Sequence, residues 1–435
     1  MLSGLFSFAT GLNPFIARVE SSAYRKERAA KWLCYYDDEQ TFITRDLIAR
    51  HWSSPADFQL FQLNIVKKIV NKRANLYRIA PRRTFTGFDQ VKGDQLYRAA
   101  NADVVLKRAS RLTKLLKTSM IQVGWNNDAP TLHVVTSNIL DVVAVDPMNP
   151  TEVIVTHKEQ RVESVTYSQW TQETFKRLDY KGMSAPVTGN AKGVNPYGIL
   201  PFVPLFDRLP DDCFFLPGGS DLIEAQEALN VGLAQLWRCI RLQSFGQAWA
   251  TGVPAGDVIN MGPNRAITLP EGGEFGFAAP NAPIRDVLSA LTFLMREIAA
   301  TNDLSVDVFD LDPRSESGAA KQVDQIDLFE ARQDDIALWR QYEARLFEVL
   351  KVITNTHAPG TIPESATVSV DFAELQTDYD PTDRLNNAQK RLAMGVWSPV
   401  DILRAEDPDG YATRELAMQE LLRRKDESAQ LATMD

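Results

Sequence analysis

The chain has 435 residues, a formal net charge of −9 at pH 7, and a composition that is 44% hydrophobic and 24% charged. Its length suffices for about two to four domains or for one elaborate subunit. The acidic balance argues against a sequence-specific DNA-binding protein, which normally carries a basic surface. The three irregularly spaced cysteines, Cys34, Cys213 and Cys239, exclude a disulfide framework and a C-x-x-C metal pair and favour a reducing compartment.

Residues 1–17 are rich in Leu and Phe but are interrupted by Gly4, Gly11 and Pro14. They lack the basic n-region of a signal peptide. No stretch of the chain approaches the roughly 20 apolar residues that are needed to cross a bilayer. We therefore expect an N-terminal arm that packs on another surface, in a protein that is neither exported nor inserted in a membrane.

Three helices are expected in the N-terminal third, over Ser21–Tyr36, Phe58–Ile79 and Asp94–Met120. In the second of these, apolar residues recur at helical spacing and basic residues occupy the positions between them. The basic residues are Lys67, Lys68, Lys72, Arg73 and Arg78. This basic run is open to two interpretations: contact with nucleic acid or an acidic neighbouring subunit, or an ordinary solvated helix face.

From Met120 onward the apolar residues alternate, which indicates strands. Short alternating segments lie between turn dipeptides such as Asp146-Pro147. The segments are 121–125, 132–134, 142–145, 153–155, 162–167 and 171–180. They predict a β meander or a small barrel, followed by a polar loop over Lys181–Asn195.

An apolar stretch punctuated by proline, Asn195–Leu205, predicts a strand at a domain edge. It precedes Gly218-Gly219-Ser220-Asp221, where a short side-chain oxygen can cap a helix. We expect that helix to run to Ala250, a length of roughly 40 Å at about 1.5 Å per residue. Turn residues are dense over Thr251–Pro283 and enclose short strands at 266–269 and 274–277, after which Ile284–Thr301 is helical. The two helices therefore predict an antiparallel pair with a small β-rich tip.

The apolar positions of this pair are candidates for packing between subunits, with packing inside one subunit as the equal alternative. They are Leu229, Leu233, Leu236, Trp237, Ile240, Leu291 and Leu294. The rest of the chain predicts a polar, turn-rich segment over Asn302–Ser317, a helix over Ala319–Asn355 and a strand over Thr367–Phe372. Three final helices are expected, one to Met394, one capped at Ser398-Pro399 and one over Tyr411–Ala429.

Asn195–Leu205 and Gly218–Asn230 together resemble the portal proteins of tailed bacteriophages, in which a Pro-Tyr-Gly-like turn and an apolar segment lead to a Gly-x-Ser-Asp-Leu helix start. The helix over Asn64–Pro81, the Ser317-Gly318-Ala319 segment before a long helix, and the helical C-terminus resemble the same family in the same order. The departure is size, because both the 251–283 insert and the C-terminal region are short for their counterparts.

The resemblance implies an α+β subunit of a closed ring, with a mixed α/β wing, a two-helix antiparallel stem, a small β-rich clip and a helical crown. The implied parts are a wing at 1–219, stem helices at 220–250 and 284–302, a clip at 251–283, a region at 303–378 with the tunnel loop, long helix and return strand, and a crown at 379–435.

The resemblance also implies the role of the ring. Usually twelve subunits occupy one capsid vertex of the virion, after assembly in the bacterial cytoplasm. The ring nucleates head assembly with the major capsid protein and scaffold, docks the large terminase subunit, and passes double-stranded DNA in packaging and ejection. It then binds head-completion or adaptor proteins. An acidic channel that repels phosphate would let DNA slide without sequence-specific contacts.

Two segments are the candidate sites that follow from this resemblance. The tunnel loop would contact DNA, with Arg314 as the phosphate contact, through Asp310, Asp312, Arg314, Ser315, Glu316, Ser317 and Lys321. The clip would contact the motor or an adaptor through Asn260, Met261, Asn264, Arg265 and Glu271.

Catalytic motifs are absent from the sequence. It contains no Gly-x-x-x-x-Gly-Lys-Ser/Thr loop, no His-Glu-x-x-His and no Gly-x-Ser-x-Gly elbow. We expect no enzyme activity, no cofactor and no metal. Two alternatives remain open: a magnesium-dependent DNA-processing enzyme using Asp310, Asp312 and Glu316, or a different minor protein of the head.

Overall fold

The structure is a computed structural model. It describes residues 14–51, 60–159, 164–244, 247–252, 269, 271–278, 284–309, 326–373, 381–407, 410–411 and 413–432. The chain divides into two compact units, one of 1–311 with 327–373 and one of 312–326 with 374–435.

The N-terminal part of the first unit is helical. Its helices are α1 (Pro14–Ser21), α2 (Ala23–Tyr36), α3 (Thr41–His51) and α4 (Ile65–Arg73). Helix α4 is shorter than the predicted Phe58–Ile79, because Asn64 caps its start by accepting from the Lys67 backbone N–H at 2.9 Å. A 3₁₀ turn, Leu76–Arg78, then leads to strand β1 (Arg82–Thr86).

The helix predicted over Asp94–Met120 is two helices, α5 (Gln90–Ala99) and α6 (Ala102–Leu116). The break lies at Asn101, whose φ of 49° is left-handed and cannot continue a right-handed helix. Helix α6 stops before Lys117, whose φ is 66°, and strand β2 starts at Thr118. The strand therefore replaces the last turn of the predicted helix.

Two antiparallel sheets follow. Strands β2 (Thr118–Asn126) and β3 (Ala129–Thr136) form a hairpin, and β9 (Phe202–Phe206) pairs with the other edge of β2. A five-stranded meander contains β4 (Leu140–Val143), β5 (Glu152–Glu159), β6 (Ser164–Thr171), β7 (Phe175–Leu178) and β8 (Ser184–Ala185). Among the described strands the meander is open rather than a barrel. Because every described strand pair is antiparallel and helices make up the larger share of the structure, the α+β class is confirmed.

A long helix, α7 (Ser220–Ser244), is followed by the two-stranded ladder of β10 (Gln247–Ala250) and β11 (Phe275–Ala278) and then by helix α8 (Ile284–Ala300). The prediction that α7 reaches Ala250 was wrong. Residues 247–250 pair with β11, where Gly276 leaves room for the Trp249 indole: a Cβ at Gly276 would lie 2.8 Å from that ring.

Helix α9 (Ile326–His357) and strand β12 (Thr367–Asp371) complete the first unit, and β12 pairs with β1. The largest apolar core joins α9 to the β2–β3–β9 sheet and to α6, with Phe206, Tyr342 and Phe347 almost fully buried. Within the second unit lie α10 (Pro381–Ala393), α11 (Pro399–Glu406) and α12 (Arg414–Ala432). Helix α11 begins with a capping box between Ser398 and Asp401, close to the predicted start.

Candidate functional site

The antiparallel pair α7–α8 is held together by a close approach at Gly232. A Cβ added there would lie 2.6 Å from Cδ2 of Leu291, so the absence of a side chain at Gly232 lets the helices approach. Leu229 and Leu233 belong to a core cluster that also takes up Leu291 and Leu294. These predicted stem positions therefore pack inside the subunit.

The remaining predicted stem positions differ in their exposure to solvent. Leu236 is buried and Ile240 is half-buried, whereas Trp237 is 40% exposed and its ring centroid lies 5.9 Å from that of Phe61. Helix α8 also carries Leu288 and Phe293, which are 46% and 65% exposed. The helix pair thus keeps large apolar side chains on its surface.

The first half of α7 is fixed by a buried network of amides. The Gln226 Oε1 atom accepts from the backbone N–H groups of Ile65 and Val66, which are the first residues of α4. Its Nε2 atom donates to Asn230, which donates to Gln40 and to Thr44. Because an unpaired buried amide is costly, this network sets the register of α7 against α3 and α4. The apolar periodicity that predicted α7 does not predict this network of polar side chains.

The Asn-Pro-Tyr-Gly segment is a turn rather than a strand, and the strand starts only at Phe202. The buried Asn195 side chain donates to the carbonyls of Thr171 and Ile199 at 2.8 and 2.7 Å and accepts from the Tyr197 N–H. Gly198 supplies a φ of 66°. The motif therefore joins the end of β6 to the start of β9.

Two buried ionic groups hold α9 in place. Glu343 is fully buried and accepts from Arg83 through Nε and NH2 and from the Tyr77 hydroxyl at 2.9 Å. Burial lowers the pKa of Arg83, but Glu343 outweighs it and the pKa is raised. Lys114 lies 2.8 Å from Asp207 and 2.7 Å from Asp335 of α9. Burial opposes its charge, but both carboxylates raise the pKa of Lys114, so it stays charged.

The basic helix α4 faces the segment that leads into the predicted tunnel loop. Arg73 pairs with Asp303 at 3.0 Å, and the Lys68 Nζ atom lies 4.7 Å from the centroid of the Phe309 ring. Phe309 ends a 3₁₀ turn, Val306–Phe309. The tunnel-loop candidates Asp310, Asp312, Arg314, Ser315, Glu316, Ser317 and Lys321 lie outside the described residues.

Of the clip candidates, Glu271 is exposed beside the β10–β11 ladder. Asn260, Met261, Asn264 and Arg265 lie outside the described residues, as do residues 266–268 of a predicted strand. Over the described ranges, no cluster of three potential metal-binding side chains occurs. No helix in those ranges has the length and apolarity required to span a membrane.

No protein-family model matches the chain, and no curated protein matches its sequence. A chain from the neck of an empty gene transfer agent (GTA) particle, computed with C6 symmetry, aligns with a TM-score of 0.47 and 15% identity, over 77% of this chain and 86% of that one. A chain from the neck of the native GTA particle, computed with C12 symmetry, aligns with a TM-score of 0.43 and 14% identity, over 78% and 87%. A chain from the native GTA virion aligns with a TM-score of 0.43 and 15% identity, over 76% and 84%. At TM-scores below 0.5, these likenesses do not establish a function for this chain.

Proposed function

We propose that this chain is the subunit of a portal-type ring, a structural protein at one vertex of a phage head through which double-stranded DNA passes. In this role it would nucleate head assembly, dock the terminase motor and later bind adaptor proteins. The number of subunits proposed from the family resemblance is twelve.

The observation that carries this proposal is the α7–α8 pair. Its two helices are joined through a small β ladder and anchored at one end by the Gln226–Asn230 network, yet they keep Trp237, Leu288 and Phe293 exposed. Large apolar side chains exposed on both helices of one pair favour a surface that a partner covers. A copy of the same chain in a closed cyclic ring would cover it without leaving a free end.

The proposed parts follow the observed elements. The stem is α7 with α8, the clip is the segment between them including the β10–β11 ladder, and the wing contains the β2–β3–β9 sheet and the five-stranded meander. The tunnel loop is proposed at 310–317, directly before the long helix. The crown is proposed for 379–435, which supplies α10, α11 and α12.

Native mass measurement and negative-stain microscopy of the purified chain test the proposal. We expect a ring with a central hole, and the mass should give the number of subunits, for which twelve is proposed. A protein that remains a monomer under all conditions would contradict the proposal. A magnesium-dependent DNA cleavage assay separates it from the alternative of an enzyme using Asp310, Asp312 and Glu316.

Shortening the proposed tunnel loop over Asp312–Ser317 should impair DNA packaging while rings still form. Normal packaging by that variant would remove the tunnel assignment. Deleting Asn260–Gly273 from the proposed clip should weaken binding of the motor to preformed rings, and unchanged binding would remove the clip assignment.

A further inference from the structure

Helices α4 and α6 together carry five cations on one surface, which we call the α4–α6 basic face: Lys67, Lys68, Lys72, Arg108 and Arg111. The three lysines and Arg108 are exposed, and Arg111 is half-buried. Among the described residues none of the five forms an ion pair, whereas the adjoining Arg73 pairs with Asp303. An unbalanced basic surface contrasts with the chain's net charge of −9.

Three cations of this face act on Tyr36. The Lys67 Nζ atom lies 5.9 Å from the Tyr36 ring centroid, and the Tyr36 hydroxyl donates to Asn71 at 2.8 Å. Burial raises the pKa of Tyr36, while Arg111 and Arg108 act in the opposite direction. Asp37 is the acid that acts on this hydroxyl from the end of α2.

Lys68 and Lys72 are one helical turn apart, an arrangement in which like charges repel and destabilise the helix. Burial and the charge of Lys72 both lower the pKa of Lys68. A polyanion lying across the two ammonium groups would relieve this repulsion. The pair therefore favours a ligand with closely spaced negative charges.

We propose that the α4–α6 basic face, through Lys68 and Lys72 above all, binds the phosphate backbone of double-stranded DNA without reading its sequence. This inference rests on the proposed function. The choice of DNA over an acidic protein rests on position: Lys68 lies against Phe309, the residue before the proposed tunnel loop. Lysines supply sequence-independent phosphate contacts of this kind.

The test measures binding of a mixed-sequence duplex to the assembled full-length protein by fluorescence anisotropy, over a series of KCl concentrations. The variant Lys68→Gln with Lys72→Gln is compared with Lys92→Gln with Arg98→Gln, which removes the same charge from exposed positions of α5. Each phosphate contact adds about 0.9 to the slope of log K against log salt, so the α4 variant should lower that slope by about 2 and weaken binding at least about tenfold at low salt. The α5 variant should match the wild type.

Equal effects of the two variants, or no DNA binding by the wild type at low salt, would overturn the inference. Intact DNA binding with loss of assembly in the α4 variant would overturn it in favour of an acidic neighbouring subunit. These failures are distinct from failure of the proposed function, because ring formation by the wild type is scored separately by mass and microscopy.

Discussion

The apolar core around α9 and the α7–α8 pair differ in how much of their apolar side chains they bury. In the core, Phe206, Tyr342 and Phe347 are nearly inaccessible and the carboxylate of Glu343 is fully paired. In α8 only Ile298 and Ala299 are buried. The core around α9 therefore buries its large apolar side chains within one chain, whereas the helix pair leaves apolar surface that a neighbouring subunit could bury. Substitutions in the core should therefore lower the free energy of unfolding, whereas substitutions of exposed residues on the helix pair should lower the oligomeric fraction.

The largest effect is expected at Glu343. Glu343→Ala removes the acceptor of the buried Tyr77 hydroxyl and leaves the buried Arg83 guanidinium with Asp103 alone, and breaking such a buried pair costs about 3–5 kcal/mol. Urea unfolding followed by circular dichroism measures this change. Glu348→Ala, on the same helix but with a half-exposed side chain paired to Lys351, is the control and should cost less than about 1 kcal/mol. Similar losses for both variants would contradict the distinction between core and surface.

Alkaline pH should weaken the apolar core around α9 through the buried Tyr342. The buried Tyr342 hydroxyl donates to the Phe206 carbonyl, and burial raises its pKa to about 12. The unfolded chain loses this proton near pH 10 and the folded chain near pH 12, so stability is full below pH 10 and falls as pH rises through that interval. At about 1.4 kcal/mol per pKa unit the loss reaches about 3 kcal/mol.

Tyr342→Phe should remove the contribution of Tyr342, so its unfolding free energy should fall less steeply between about pH 10 and pH 12. The matched control is Tyr24→Phe, since Tyr24 is 76% exposed. If the two variants follow the same alkaline profile, Tyr342 makes no such contribution.

The sequence predicted the elements whose signal is local. Alternation located most strands of the meander, and helical periodicity located α8 within one residue of its observed end. The sequence did not predict the elements whose structure depends on pairing with a distant segment. Strand β1 was not predicted because it depends on β12, about 280 residues away, and α7 was extended because only pairing with β11 makes 247–250 a strand. At Asn101 no Gly or Pro marked the break between α5 and α6.

The candidate site, like the fold, could be predicted only in part. Periodicity identified Leu229, Leu233 and Leu291 as apolar stem positions, but it could not separate the inward side chains from the outward Trp237. The Gln226–Asn230 network was missed because polar residues on a helix predict solvent exposure, and only the folded chain brings Gln40 and Thr44 to them. The sequence could not decide between the two interpretations of the basic run, because its neighbour Phe309 is far away along the chain.

A smaller effect tests the close packing of the helix pair. Gly232→Ala gains about 1 kcal/mol of helix propensity but forces a Cβ against Leu291, and overpacking costs about 1–3 kcal/mol. We expect a net loss of about 1 kcal/mol in the wild type and a net gain of about 1 kcal/mol in a Leu291→Ala background, measured as a double-mutant cycle by urea unfolding. The same change in both backgrounds would show that Gly232 and Leu291 do not limit the approach.

The smallest effect on stability, and the one that bears most directly on assembly, is expected at Phe293. Because this side chain is 65% exposed, Phe293→Ser should change the unfolding free energy of the dissociated chain by less than about 0.5 kcal/mol. If a neighbouring subunit covers it, the same change removes apolar area from every interface of the ring and should lower the oligomeric fraction measured by sedimentation. Val145→Ser, at a side chain that is 95% exposed outside the helix pair, is the control and should assemble normally. Normal assembly of Phe293→Ser would mean that the exposed apolar surface of α8 is not what a neighbouring subunit covers.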